Sequence, residues 1–143
     1  DVLNGCHPYG EALFNRCVYG VFDPVGYGAD GKYGNEWDMT IWISDRGIES
    51  GRLKDILIHE AAHAYSYLVL RGCVVPDGSS FRELAHKRYG DEEHLADVFV
   101  LYYGGKWTNY DGRENIPIRD RSWMSNMIDY CNLYEEALAT LSS

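Results

Sequence analysis

The sequence predicts an α+β fold: one compact domain, residues 1–143, with a small N-terminal antiparallel sheet followed by about four helices. Three observations predict it. A chain of 143 residues is the common size of a single domain. Its apolar fraction of 45% and aromatic fraction of 14% are enough to build a core. The strand-like runs lie in the first third and the helical periodicities follow, an order that argues against alternating α/β units.

Residues 17–23, Cys-Val-Tyr-Gly-Val-Phe-Asp, read as a first strand. Residues 24–36 open on a proline and are dense in glycine, the composition of a loop. Residues 38–44, Asp-Met-Thr-Ile-Trp-Ile-Ser, combine β-branched and aromatic side chains with partial alternation and read as a second strand. From Ser50, an expected N-cap, apolar residues recur at helical spacing (Leu53, Ile56, Leu57, Ala61, Ala64, Tyr65, Leu68) until Gly72. Ser80 and Glu83 form a capping box that starts a short helix ending near Gly90. Asp91 caps the next helix, which runs through Leu95, Val98, Phe99 and Tyr102 to Gly104-Gly105. Residues 104–119 read as an irregular loop. Asp120 opens a last helix with Trp123, Met127, Cys131, Tyr134 and Leu138 on one face.

A net charge of −9 and a pI near 4.9 repel phosphate backbones and anionic lipid, so nucleic acid and membrane surfaces are poor partners. The simplest account of the acidity is solubility. No apolar run approaches the roughly 20 residues a membrane helix requires. The chain opens on Asp1, as expected of a trimmed or processed form. Its four cysteines, Cys6, Cys17, Cys73 and Cys131, lack the close spacing of a thiolate metal site and fit two disulfides. The expected pairs are Cys6 with Cys17 and Cys73 with Cys131. Disulfides imply an oxidising, extracellular home; buried free thiols in a cytoplasmic core are the alternative.

The chemistry centres on His59-Glu60-Ala61-Ala62-His63. Histidines four apart on a helix leave the same face about one turn apart, so both imidazoles can reach one zinc ion at roughly 2.0–2.1 Å. Glu60 then lies beside the metal without binding it, where it can take a proton from water. The ordinary reading of the run is a solvated His59 and Glu60 with His63 as a satisfied core histidine. Two histidines and a glutamate on a largely apolar helix are costly to bury on those terms. A third ligand is needed. The extension Gly-x-x-His is absent, because Ser66 and Val69 stand in its place. Downstream, Glu93 is the best placed donor, with Asp97 one turn later on the same face to orient a ligating imidazole. His94 is the rival ligand, with His86 and Glu92 behind it. Neighbours on a helix point about 100° apart, so only one of Glu93 and His94 can face the metal. Glu92 has a sufficient ordinary account as an acidic residue in a first helical turn.

The run Glu93-His94-Leu95-Ala96-Asp97, followed by Phe99, resembles the second-helix pattern Glu-x-x-Ala-Asp of the gluzincin peptidases. The likeness covers roughly residues 53–103 and is shared with the phage-repressor-cleaving peptidases and bacterial neutral zinc metallopeptidases. It implies a zincin-like domain, one zinc ion per chain, Glu93 as third ligand in preference to His94, and Asp97 as the carboxylate behind an imidazole. It also implies a peptide or protein substrate whose backbone pairs with a strand edge beside the motif helix, the role expected of residues 38–44. Tyr102, Tyr103, His86 and Arg113 are candidates for a transition-state donor.

Other constellations are weaker. Ser44, Asp45 and Arg46 form no triad with a histidine, and Cys73 lacks a base. The glycine-rich loop lacks the lysine-serine ending of a phosphate-binding loop. Asp23, Asp30, Asn35 and Asp38 fit no known calcium-loop spacing. Two further function classes stay open: a binding or toxin-like module stapled by zinc, in which Glu60 has no use, and a regulatory peptidase specific for one protein partner.

Overall fold

A computed structural model describes residues 18–26, 39–108 and 115–142. The element order is β1 (Gly20–Asp23), β2 (Thr40–Ile43), α1 (Asp45–Glu49), α2 (Leu53–Leu68), α3 (Phe81–Tyr89), α4 (Glu92–Tyr102) and α5 (Ile118–Ser142). It is an α+β fold with a two-stranded antiparallel sheet and a helical majority. The chain divides into two compact units, Asp1–Ala64 and Tyr65–Ser143, and the dividing line falls within α2.

In the first unit β1 and β2 pair with Gly20 opposite Ile43 and Asp23 opposite Thr40. Both strands are shorter than the sequence suggests. Val18 and Tyr19 precede β1, and Met39 adopts a left-handed turn conformation (φ 60°) before β2. Asp23 closes β1: its Oδ1 accepts from the backbone N–H groups of Val25 (3.1 Å) and Gly26 (2.8 Å). These bonds give the carboxylate a role in closing the turn after β1. The other three residues of that constellation lie outside the described residues.

Ser44 does not continue β2. It is the N-cap of α1, an element the sequence did not announce, and its side chain accepts from the Gly47 N–H at 3.1 Å. Its backbone N–H also donates to the Tyr19 carbonyl at 3.0 Å. Gly47 lies so close to that carbonyl that no Cβ could be fitted between them. Ser50 is correspondingly the C-cap of α1, not the N-cap of the long helix. Its hydroxyl bridges the two, donating to Gly47 O at 2.6 Å and accepting from Arg52 N at 3.1 Å. The long helix starts three residues later, and it ends at Leu68, with residues 70–72 in a single 3-10 turn.

The second unit is helical. Ser80 caps α3 by accepting from Glu83 N, and Asp91 caps α4 by accepting from His94 N, both as the sequence predicts. A tight loop connects the 3-10 turn to α3, closed by Val75 N–H to Ser79 O and by Phe81 N–H to Cys73 O, each 2.9 Å. From Leu95 to Leu101 every residue of α4 is buried, the position a helix apolar all round must take. The last helix starts at Ile118, two residues before Asp120. Asp120 therefore does not open the helix but is a buried carboxylate inside its first turn, paired with Arg88 Nη2 of α3 at 2.8 Å. The Arg88 guanidinium also lies 5.1 Å from the centre of the Trp123 ring. Met124, Met127 and Cys131 are fully buried, while Leu138 of the expected apolar face is 42% exposed, so only the first half of α5 is core.

Cys73 and Cys131 form a disulfide with a Cα–Cα distance of 5.6 Å, tying the end of the 3-10 turn to α5 as expected. The other expected pair, Cys6 with Cys17, lies outside the described residues. The bonded cysteines are 58 residues apart in sequence, so the cross-link removes considerable freedom from the unfolded chain, worth about 4 kcal/mol in the chain-entropy account. A Cys73→Ala/Cys131→Ala variant should lose about 2–4 kcal/mol of stability in urea unfolding. An unchanged midpoint and slope would show that the bond is not a stability element.

Candidate metal centre

The motif helix α2 is apolar on much of its circumference, so propensity and pattern do not decide which side faces inward. The side turned inward carries Ile56, His59, Glu60, Ala62 and Ser66. Leu53, Leu57 and Leu68, three members of the apolar stripe read from the sequence, are 38%, 42% and 55% exposed. The expected core face of this helix is thus largely its outer face. The inner face carries His59 and Glu60.

His59 is 6% exposed and His63 half-buried. One helical turn brings their Nε2 atoms to 3.1 Å, with the rings edge-on at 82°. Two tetrahedral ligands at about 2.0–2.1 Å from one ion stand roughly 3.3 Å apart, so this spacing suits a shared metal. Glu93, the second residue of α4, completes a set: the ligand atoms offered by His59, His63 and Glu93 all lie within 4.8 Å of one another. Two imidazole nitrogens and one carboxylate oxygen are a donor set proper to zinc with an open position, and the residues present fit that ion.

His94, the rival ligand, is turned elsewhere. Its Nδ1 is 2.8 Å from Asp91 Oδ1, the same oxygen that accepts the His94 backbone N–H at 2.8 Å. Those two hydrogen bonds hold the Asp91 carboxyl below the usual carboxylate range. Asp97 is fully buried one turn after Glu93, a depth at which a carboxylate is sustained only by polar partners.

Glu60 is also buried, at 6% exposure. Strand β1 passes directly over it. A Cβ added at Gly20 would stand 3.0 Å from Glu60 Cγ, 3.0 Å from Ile56 Cγ2 and 3.1 Å from Ile43 Cδ1. Glycine at position 20 therefore lets the strand lie against the stem of Glu60 and limits where its carboxylate can go. The glycine inside a strand pattern was the available signal, since it often marks a close backbone approach.

The remaining candidates divide. The Tyr102 hydroxyl is 2.6 Å from Ser125 Oγ, and His86 Nε2 is 2.6 Å from Glu92 Oε1, so both are engaged in packing contacts. Tyr103 is 54% exposed. Arg113 lies outside the described residues. Tyr65, a member of the helical periodicity of α2, has its phenol pushed up to about 12, chiefly by burial; it donates to Asn132 Oδ1 at 3.0 Å. Glu92 is more than a first-turn acid at a helix dipole: Ser66, Arg82 and His86 all converge on it.

No family model, curated protein or solved structure matches the chain. No helix among the described residues is long and apolar enough to cross a membrane.

Proposed function

We propose that this chain is a zinc-dependent hydrolase that cleaves peptide bonds, holding one zinc ion with His59, His63 and Glu93. The observation that carries the proposal is the convergence of those three ligand atoms within 4.8 Å, on the helix face that also buries Glu60. When bound, the metal supplies a Lewis acid and lowers the pKa of water at its open position. Glu60 is the general base: it takes a proton from the attacking water and passes it to the leaving amine. A purely structural zinc site has no use for a buried carboxylate next to its first ligand. Asp97 is the carboxylate that orients an imidazole. The residue 38–44 segment, which contains β2, offers its edge to an extended substrate backbone. A peptide or protein is the substrate, since a net charge of −9 disfavours nucleic acid. The Cys73–Cys131 disulfide suits an extracellular setting.

Elemental analysis of the purified chain, paired with a peptide-hydrolysis assay, tests this reading. The expected result is one zinc per chain, with hydrolysis lost to a chelator and restored by zinc. A native protein that contains no zinc and takes none up on dialysis overturns it.

A further inference from the structure

Ser66 stands on α2 three residues after His63 and is 0% exposed. Its hydroxyl donates to Glu92 Oε1 at 2.7 Å. The same oxygen lies 2.6 Å from His86 Nε2 and 3.4 Å from Arg82 Nε, and Arg82 Nε is itself 3.1 Å from Ser66 Oγ. One carboxylate oxygen therefore gathers donors from α2 and α3 at the first residue of α4. The favourable field of a helix N-terminus explains an acidic residue there but not three converging donors, two of them able to carry charge.

The position of this cluster relative to the ligands gives it a consequence. Glu92 precedes Glu93 in sequence, and Ser66 follows His63 by less than one turn. The Ser66–Glu92 bond thus fixes the start of α4 against the motif helix within a few residues of both ligands. Adjacent helical residues diverge by about 100°, so holding Glu92 in the cluster also fixes the direction of Glu93. Metal ligation tolerates displacements of only about 0.2 Å. We infer that Glu92, held by Ser66, Arg82 and His86, is a positioning residue that sets the Glu93 carboxylate for the metal and is not itself a ligand. This rests on the zinc reading of His59, His63 and Glu93.

The test is zinc affinity, measured by competition with a chromogenic chelator at one pH, alongside the melting temperature of each metal-free protein. Wild type is compared with His63→Ala, Glu92→Ala, Glu92→Gln, Ser66→Ala and, as a control, Arg88→Ala. The control breaks the 2.8 Å pair between Arg88 and Asp120, on the same helix as Arg82 and His86, while removing no member of the cluster. Glu92→Ala should weaken zinc binding about 10–100-fold, the scale seen when a group behind a ligand is removed. Ser66→Ala should weaken it by about tenfold, and Glu92→Gln, which keeps an acceptor oxygen, should recover part of the loss. Arg88→Ala should lower the melting temperature and leave the affinity within about twofold of wild type. An affinity within twofold of wild type for Glu92→Ala or, should that variant not fold, for Ser66→Ala overturns the inference. So does a loss no larger than that of Arg88→Ala, which marks general destabilisation. If His63→Ala binds zinc as tightly as wild type, the metal site itself is wrong and the inference falls with it. A normal loss at His63 with no effect at Glu92 or Ser66 overturns the inference alone.

Discussion

Replacing Glu60 with glutamine should lower peptide turnover by about two to four orders of magnitude while zinc content stays at one per chain. The substitution keeps the length and helix propensity of the side chain. It therefore preserves the packing of its stem under β1, where a Cβ at Gly20 would stand only 3.0 Å from Glu60 Cγ. What it removes is the carboxylate that the proposed mechanism uses to accept and return a proton. His59 and His63 keep their spacing, because that is set by the α2 backbone and not by Glu60. Turnover and metal content measured on the same preparation distinguish a base from a ligand. If Glu60→Gln were silent in hydrolysis, Glu60 would not be the base, and a structural metal would become the better account.

Glu93→Gln should fail in the opposite order, losing zinc first and activity as a result. An amide oxygen is a neutral and weaker donor than a carboxylate, and two imidazoles alone hold the ion poorly. His63→Ala should be more severe still, with zinc falling below detection after dialysis, since one histidine and one glutamate remain. His94→Ala should keep its metal, because the His94 ring is engaged with Asp91 Oδ1 at 2.8 Å and is not part of the ligand group. Zinc analysis of the three variants after the same dialysis reads the ligand set directly. Metal lost from His94→Ala and retained by Glu93→Gln would move the third ligand by one residue.

By itself, the sequence determined what is settled within a few residues along the chain. The caps at Ser80 and Asp91 were legible because a side-chain oxygen and an N–H three positions on meet whenever a helix starts there. The closeness of His59 and His63 was legible for the same reason, since one helical turn brings them together. The α+β class followed from two periodicities that do not overlap. The Cys73–Cys131 pairing is compatible with the positions of the cysteines, and the tertiary structure brings the two sulfurs into reach.

Everything that depended on which surfaces meet was decided by tertiary structure. The apolar stripe of α2 through Leu53, Leu57 and Leu68 pointed to the wrong inner face, because a helix with apolar residues on several sides has no unique one. Ser50 was an acceptable N-cap by composition, but the chain had already spent it closing α1, a helix too short to show a period. Asp120 marks the opening of the last helix by pattern, and its burial inside the first turn becomes intelligible from Arg88, 32 residues away, whose guanidinium pairs with it. Glu92 likewise fits a dipole acid by position, and only the convergence of Ser66, Arg82 and His86 on its carboxylate gives it a further role. Backbone hydrogen bonds and caps are short-range and write themselves into neighbouring residues. Burial and polar satisfaction are set by side chains brought together across the chain, and a local pattern leaves several such arrangements equally open.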